Sequence, residues 1–189
     1  MLKKLREKTH PVTLQILTDL KDVVLDMIGR CQAYMVQNQG CRSIAANQVN
    51  GNFRILCYLN KAGEIINCIN PEIIKRQHLL QVNATDISFP GLLCRVERYN
   101  KITATYMRAD SQLKQETVTL RGEEAMWFQQ SLDILDNVII FDKAIPVNWN
   151  KEYPKIIRKG KCSVCDGTGK VVKEKTPNKV EWRDCWKCH

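Results

Sequence analysis

The sequence predicts an α+β domain over residues 1–145 followed by a small zinc-binding unit, and three observations lead to that reading. Apolar residues recur at helical spacing over 11–37 and again over 122–135. Between these stretches lie short apolar or alternating runs punctuated by turn residues, the pattern of an antiparallel, hairpin-rich middle. Two Cys-x-x-Cys pairs close the chain, Cys162 with Cys165 and Cys185 with Cys188.

The first helix is carried by Leu14, Ile16, Leu17, Leu20, Val23, Val24, Met27, Ile28, Cys31 and Met35, and it is expected to run unbroken until Gly40 stops it. A loop rich in small residues follows and leads into a strand over 53–58. Lys61-Ala62-Gly63-Glu64 makes a turn, and the returning strand over 65–69 is expected to end at Asn70-Pro71. Further short strands are expected over 72–75, 91–97, 102–107 and 116–120. The second helix places Ala125, Phe128, Leu132 and Leu135 on one apolar side, and a strand is expected over 138–142. Residues 146–160, polar and containing Pro154, read as a linker, and residues 161–189 as the four-cysteine unit, with Val171-Val172 and Val180-Glu181-Trp182 suited to a hairpin.

Composition narrows the function classes. The hydrophobic share of 44% is that of an ordinary globular protein, and apolar runs such as 138–141 are far too short to cross a bilayer. The basic N-terminus lacks an apolar h-region, so a cytoplasmic protein is expected. A formal charge of +9 and a pI near 9.1 suit an acidic partner such as RNA. Residues 151–189 hold eleven Lys or Arg against five Asp or Glu, so six of those positive charges belong to the tail. Nine cysteines, an odd number without a secretory signal, argue for reduced thiols, and most of Cys31, Cys41, Cys57, Cys68 and Cys94 read as small core residues.

The most informative segment is Gly40-Cys41-Arg42-Ser43-Ile44-Ala45-Ala46-Asn47-Gln48-Val49. Small residues at Ala45 and Ala46 let backbone and substrate approach closely; tight packing between a helix and a strand uses the same residues. Gln48 suits either a hydrogen bond to a substrate carbonyl or a buried amide satisfying its own loop. Further along stand Ile69-Asn70-Pro71-Glu72, Ser88-Phe89-Pro90-Gly91, Val96-Glu97-Arg98 and Gln129-Gln130-Ser131-Leu132-Asp133-Ile134. In this order the segments resemble the peptide deformylase family over about three quarters of the chain.

That resemblance implies antiparallel sheets around a central helix, and a divalent metal held by a cysteine of one motif and two histidines of another, with a glutamate as general base. In this chain Asp86 stands where the ligand cysteine belongs, Gln130 and Ile134 where the histidines belong, and Ser131 where the base belongs. The histidines present, His10, His78 and His189, lie outside the motif helix. No catalytic residue is therefore expected. The peptide-facing scaffold that the resemblance leaves in place is residues 44–48 and 89–92 with Gln129, a vestigial groove. Asn70, Pro71, Glu97 and Arg98 read as fold-keeping residues.

In the tail, Cys162-Ser163-Val164-Cys165-Asp166-Gly167-Thr168-Gly169 and Cys185-Trp186-Lys187-Cys188 are separated by nineteen residues. Four thiolates complete a tetrahedral zinc and leave no open position, so one structural zinc per chain is expected, against a redox dithiol pair or a disulfide. The Cys-x-x-Cys-x-Gly-x-Gly string also resembles the zinc-binding repeats of DnaJ-type co-chaperones. Basic residues beside Trp182 and Trp186 suit nucleic acid or simply a solvated surface.

Three functions are open on this reading. One is an inactive deformylase-like binding module for ribosome, RNA or nascent peptide. Another is an assembly subunit of a larger protein complex. The third is an enzyme with replacement chemistry through Asp86 or Cys94.

Overall fold

The computed structural model describes residues 2–108 and 114–145, together with the backbone of 170–176 and 179–184. The chain divides into two compact units, Met1–Ile145 and Pro146–His189. Short helices α1 (Leu2–Leu5) and α2 (Leu14–Asp19) precede the long α3 (Lys21–Gln37). Strand β1 (Ser43–Ala45) and a 3-10 turn (Ala46–Val49) follow. Then come β2 (Ile55–Leu59), β3 (Ile65–Asp86), β4 (Phe89–Arg108), β5 (Gln115–Arg121), α4 (Glu123–Leu135) and a closing 3-10 turn (Ile140–Lys143).

The single helix expected over 11–37 is two helices. Thr13 caps α2 by accepting a hydrogen bond from the Ile16 amide at 3.2 Å. Leu20 leaves helical geometry at φ −128°, ψ 28°, yet donates to Ile16 at 2.8 Å and accepts from Val24 at 3.1 Å, so it closes one helix and opens the next. The apolar period hid this break because Leu14, Leu20 and Val23, which contribute to it, are exposed.

One five-stranded antiparallel sheet in the order β1-β2-β3-β4-β5 replaces the several sheets expected. Strand β2 explains how it is buried on both sides. Leu56 and Tyr58 pack with Phe128 and Leu132 of α4, whereas Ile55 and Cys57 pack with Ile28 and Cys31 of α3. The two-residue alternation of a strand thus feeds two cores, one beneath each helix. Phe128 is fully buried and meets Tyr58 edge-on with ring centroids 5.6 Å apart.

Asn70-Pro71 does not end a strand. Asn70 adopts φ 50° and the register slips between Ile69 and Glu72, so the turn signal becomes a bulge inside β3. The Asn70 amide is spent on Val12, accepting from its N–H at 2.8 Å and donating to its carbonyl at 2.7 Å. The four short strands expected downstream of that signal, over 72–75, 91–97, 102–107 and 116–120, become the long hairpin of β3 and β4 and the separate β5. Residues 138–142 do not form a strand either. Asp142 accepts from the Ile139 amide at 3.0 Å and receives both guanidinium nitrogens of Arg6, at 2.7 and 2.8 Å, which folds this segment into the 3-10 turn.

In the second unit β6 (Lys170–Thr176) pairs antiparallel with β7 (Lys179–Asp184), with Val172 opposite Trp182. The expected linker over 146–160 lies outside the described residues. Among the described residues no helix is long and apolar enough to cross a membrane.

Replacing Phe128 with Ala empties the centre of the α4-side core. The variant is expected to lose about 3–5 kcal/mol of unfolding free energy, measured by urea denaturation of the chain. An unchanged midpoint would mean that this core does not hold the domain.

Candidate functional site

Helix α4 is fixed to the sheet by polar side chains that the sequence reading had assigned elsewhere. Gln129, expected to face a peptide, is buried. Its Oε1 accepts from the Tyr99 N–H at 2.9 Å while its Nε2 donates to the Tyr99 carbonyl at 2.8 Å and to the Ala125 carbonyl at 2.8 Å. This amide satisfies β4 just beyond Lys101, where β5 stops pairing. One turn later Asp133 accepts from Arg98 at 2.8 Å and from Lys143 at 2.6 Å. The Arg98 side chain is 3% exposed, so its charge depends on that carboxylate. The fold-keeping roles expected of Asn70 and Arg98 are the ones observed.

A cleft of about 650 Å³ lies between residues 38–43, the tip of the β3–β4 hairpin and the outer face of α4. Gln48, Asp86, Gln130 and Ser131 all line it, as the motif order led us to expect. Ile134 does not line it. That side chain is 1% exposed in the core beneath α4, and its carbonyl accepts from Asn47 Nδ2 at 2.8 Å.

The lining side chains are bonded to one another. Gln48 Oε1 accepts from the Ala45 N–H at 2.9 Å and its Nε2 donates to Ser88 Oγ at 2.8 Å, so the amide chiefly satisfies its own loop. Gln130 Nε2 donates to the Thr85 carbonyl at 2.8 Å. Ser131 Oγ donates to Ser43 Oγ at 2.8 Å, which in turn donates to the Trp127 carbonyl at 2.8 Å. Asp86 is 2% exposed; one oxygen accepts from the Ser88 amide at 2.7 Å, and the other, Oδ2, has no hydrogen-bond partner. Cys94 pairs with Ala84 across the hairpin and is not among the residues lining the cleft.

Cys41, read from sequence as a core residue, also lines the cleft. Burial raises its thiol from 9.0 to about 11; the Ser43 carbonyl works against that shift, and the nearby charges of Cys31 and Asp86 add to it. The only sequence signal for this role was its place ahead of the Ala45-Ala46 loop. Cys31, Cys57 and Cys68 are fully buried, as expected of core thiols, while Cys94 is only partly buried.

A thiolate and imidazole centre for iron or zinc needs at least three donors aimed at one point. The positions that the resemblance assigns to such a centre supply one unpartnered carboxylate oxygen, an amide tied to Thr85, a hydroxyl tied to Ser43 and an aliphatic side chain in the core. This donor set does not fit a metal centre of that kind. Cys162, Cys165, Cys185 and Cys188, the expected zinc ligands, lie outside the described residues.

A family profile described as polypeptide deformylase matches residues 2–149. A peptide deformylase of Thermoanaerobacter pseudethanolicus is 31% identical over 147 residues, covering 75% of this chain and 83% of that protein. One from Halothermothrix orenii is 28% identical over 144 residues, covering 76% of this chain and 88% of the other. Among solved structures, the crystal structure of peptide deformylase from Thermotoga maritima superposes with a TM-score of 0.66 at 26% identity, covering 76% of this chain and 92% of that one.

Removing the carboxylate in Asp133→Ala strands the buried Arg98 guanidinium, and a loss of about 3–5 kcal/mol in denaturant unfolding is expected. Cys41 is expected to resist iodoacetamide in the native protein at pH 8 and to become reactive as the pH approaches 11, as read by mass mapping. Because its folded pKa is raised, the unfolded thiol ionises first, so the contribution of Cys41 to stability falls as the pH rises from about 9 to about 11.

Proposed function

The chain belongs to the peptide deformylase family, and from that premise we propose that it is a catalytically inactive member that binds peptide in the cleft without hydrolysing it. The observation that carries this reading is the set of side chains at the positions of the metal ligands and the base. Asp86, Gln130, Ser131 and Ile134 stand there, and the last three are committed to a carbonyl, a hydroxyl and the core. Deformylation needs a water whose pKa is brought down from about 15.7 toward neutrality, and that is work for a metal ion. It also needs a group that takes up a proton near pH 7, which a serine hydroxyl does not do.

The tail belongs to the same proposal. Its four cysteines hold one structural zinc, and its excess positive charge suits ribosomal RNA beside an emerging chain in the cytoplasm. A subunit of a larger protein complex is the alternative, and co-purification with protein partners after nuclease treatment would favour it. One feature favours an active enzyme with replacement ligands, namely the unpartnered oxygen of Asp86.

Formyl-methionyl peptides assayed with added iron, nickel, cobalt or zinc separate these readings. No deformylation is expected, and metal analysis is expected to find one zinc per chain, lost when residues 161–189 are deleted. Turnover that disappears in Gln48→Ala, or a second transition metal whose binding depends on Asp86, would overturn the inactive assignment.

A further inference from the structure

We propose that Asp86 is the anionic end of a site for a primary ammonium group, the free α-amino terminus of a peptide lying in the cleft. This rests on the reading of the cleft as a peptide groove and names the chemistry it selects.

Asp86 is 2% exposed, with Oδ1 committed to the Ser88 amide and Oδ2 shielded from solvent without a donor. A carboxylate in that state has lost its water and gained no counter-charge, a costly arrangement that a cationic partner relieves. The cations lining the same cleft are engaged elsewhere. Arg98 is paired with Asp133, and the Arg42 guanidinium lies 5.8 Å from the ring centre of Trp127. Glu123, also in the lining, adds a second negative charge. The cleft therefore calls for a positive group from outside the domain.

The available atoms favour an ammonium over a metal ion. Gln130 has a carbonyl oxygen that is not the bonded atom in its contact with Thr85, and the Ser131 hydroxyl keeps acceptor capacity after donating to Ser43. One carboxylate and neutral oxygens match the three N–H donors of an ammonium group, whereas a calcium or magnesium ion requires about six oxygens in a closed shell. The cleft is also too large for an inorganic ion alone. Met126, Trp127 and Ile87 give it an apolar wall against which a first side chain such as methionine packs.

A formyl or acetyl cap removes the charge and sets a carbonyl oxygen toward the carboxylate. The same buried charge that attracts a free amine thus repels the capped form. The site would discriminate against formylated chains and bind those whose amine is already free.

Calorimetric titration of the full chain with Met-Ala-Ala amide, its N-formyl and N-acetyl forms, and N-acetyl-Lys-Ala-Ala amide tests this. The free-amine peptide is expected to bind about tenfold or more tightly than either capped methionyl form. Asp86→Asn keeps an oxygen to accept from the Ser88 amide and is expected to erase the preference. Capped peptide binding as tightly as the amine in the wild type, or a preference that survives Asp86→Asn, overturns the ammonium site while leaving the groove. The lysine peptide binding as tightly as the free-amine peptide overturns the assignment to an N-terminus. If no peptide binds, the groove reading falls and this inference falls with it.

Discussion

The cleft exists because α4 is pinned to β4 one step beyond the point where the last strand stops pairing. Gln129 supplies the backbone of Tyr99 with a donor and an acceptor from a single amide, as a further strand would. Asp133, four residues on, fixes the next turn of the helix through Arg98 and Lys143. With those two anchors in place, residues 126–131 of the intervening turns face the hairpin tip at a set distance. Asn47 and Ser43 then tie the loop before β2 to the carbonyls of Ile134 and Trp127. Every wall of the cleft is referred back to that helix.

The parts of this architecture legible in the sequence were those governed by period and by motif order. The two-residue alternation of β2, the helical face of α4 and the assembly of Gln48, Asp86, Gln130 and Ser131 at one cleft could all be read directly. Parts governed by tertiary contacts could not. Asn70-Pro71 carries the chemistry of a turn, yet Val12, fifty-eight residues earlier, captures the Asn70 amide and lets the strand continue. The break at Leu20 has no proline or glycine to announce it. Gln129 looked like a cleft residue because its neighbours are, but its exact angular position on α4 turns it to the sheet. No local signal distinguishes a glutamine that meets a ligand from one that meets a strand.

The same limit applies to Asp86. Sequence order places a carboxylate at the hairpin tip, but the commitment of one oxygen to Ser88 and the isolation of the other are products of folding. A turn that caps its own aspartate is common and by itself implies nothing about a ligand. What separates this one is that the second oxygen ends at a cleft whose resident arginines are already engaged.

How this scaffold holds together without ligands of the metal type follows from the same contacts. In a metal centre the ion joins the elements that carry its ligands, and its binding energy contributes to folding. Here the helix and the hairpin tip are joined by the Gln130 amide on the Thr85 carbonyl, and the helix and the loop before it by Ser131 on Ser43. Each is a neutral hydrogen bond worth about 1 kcal/mol, less than an ion supplies but directed between the same segments. Ile134 adds apolar contact with the core, where an imidazole would have required a polar partner. The substitutions at these positions therefore replace a coordination tie with protein-protein ties, and the cleft they frame keeps its walls without depending on a metal to hold them.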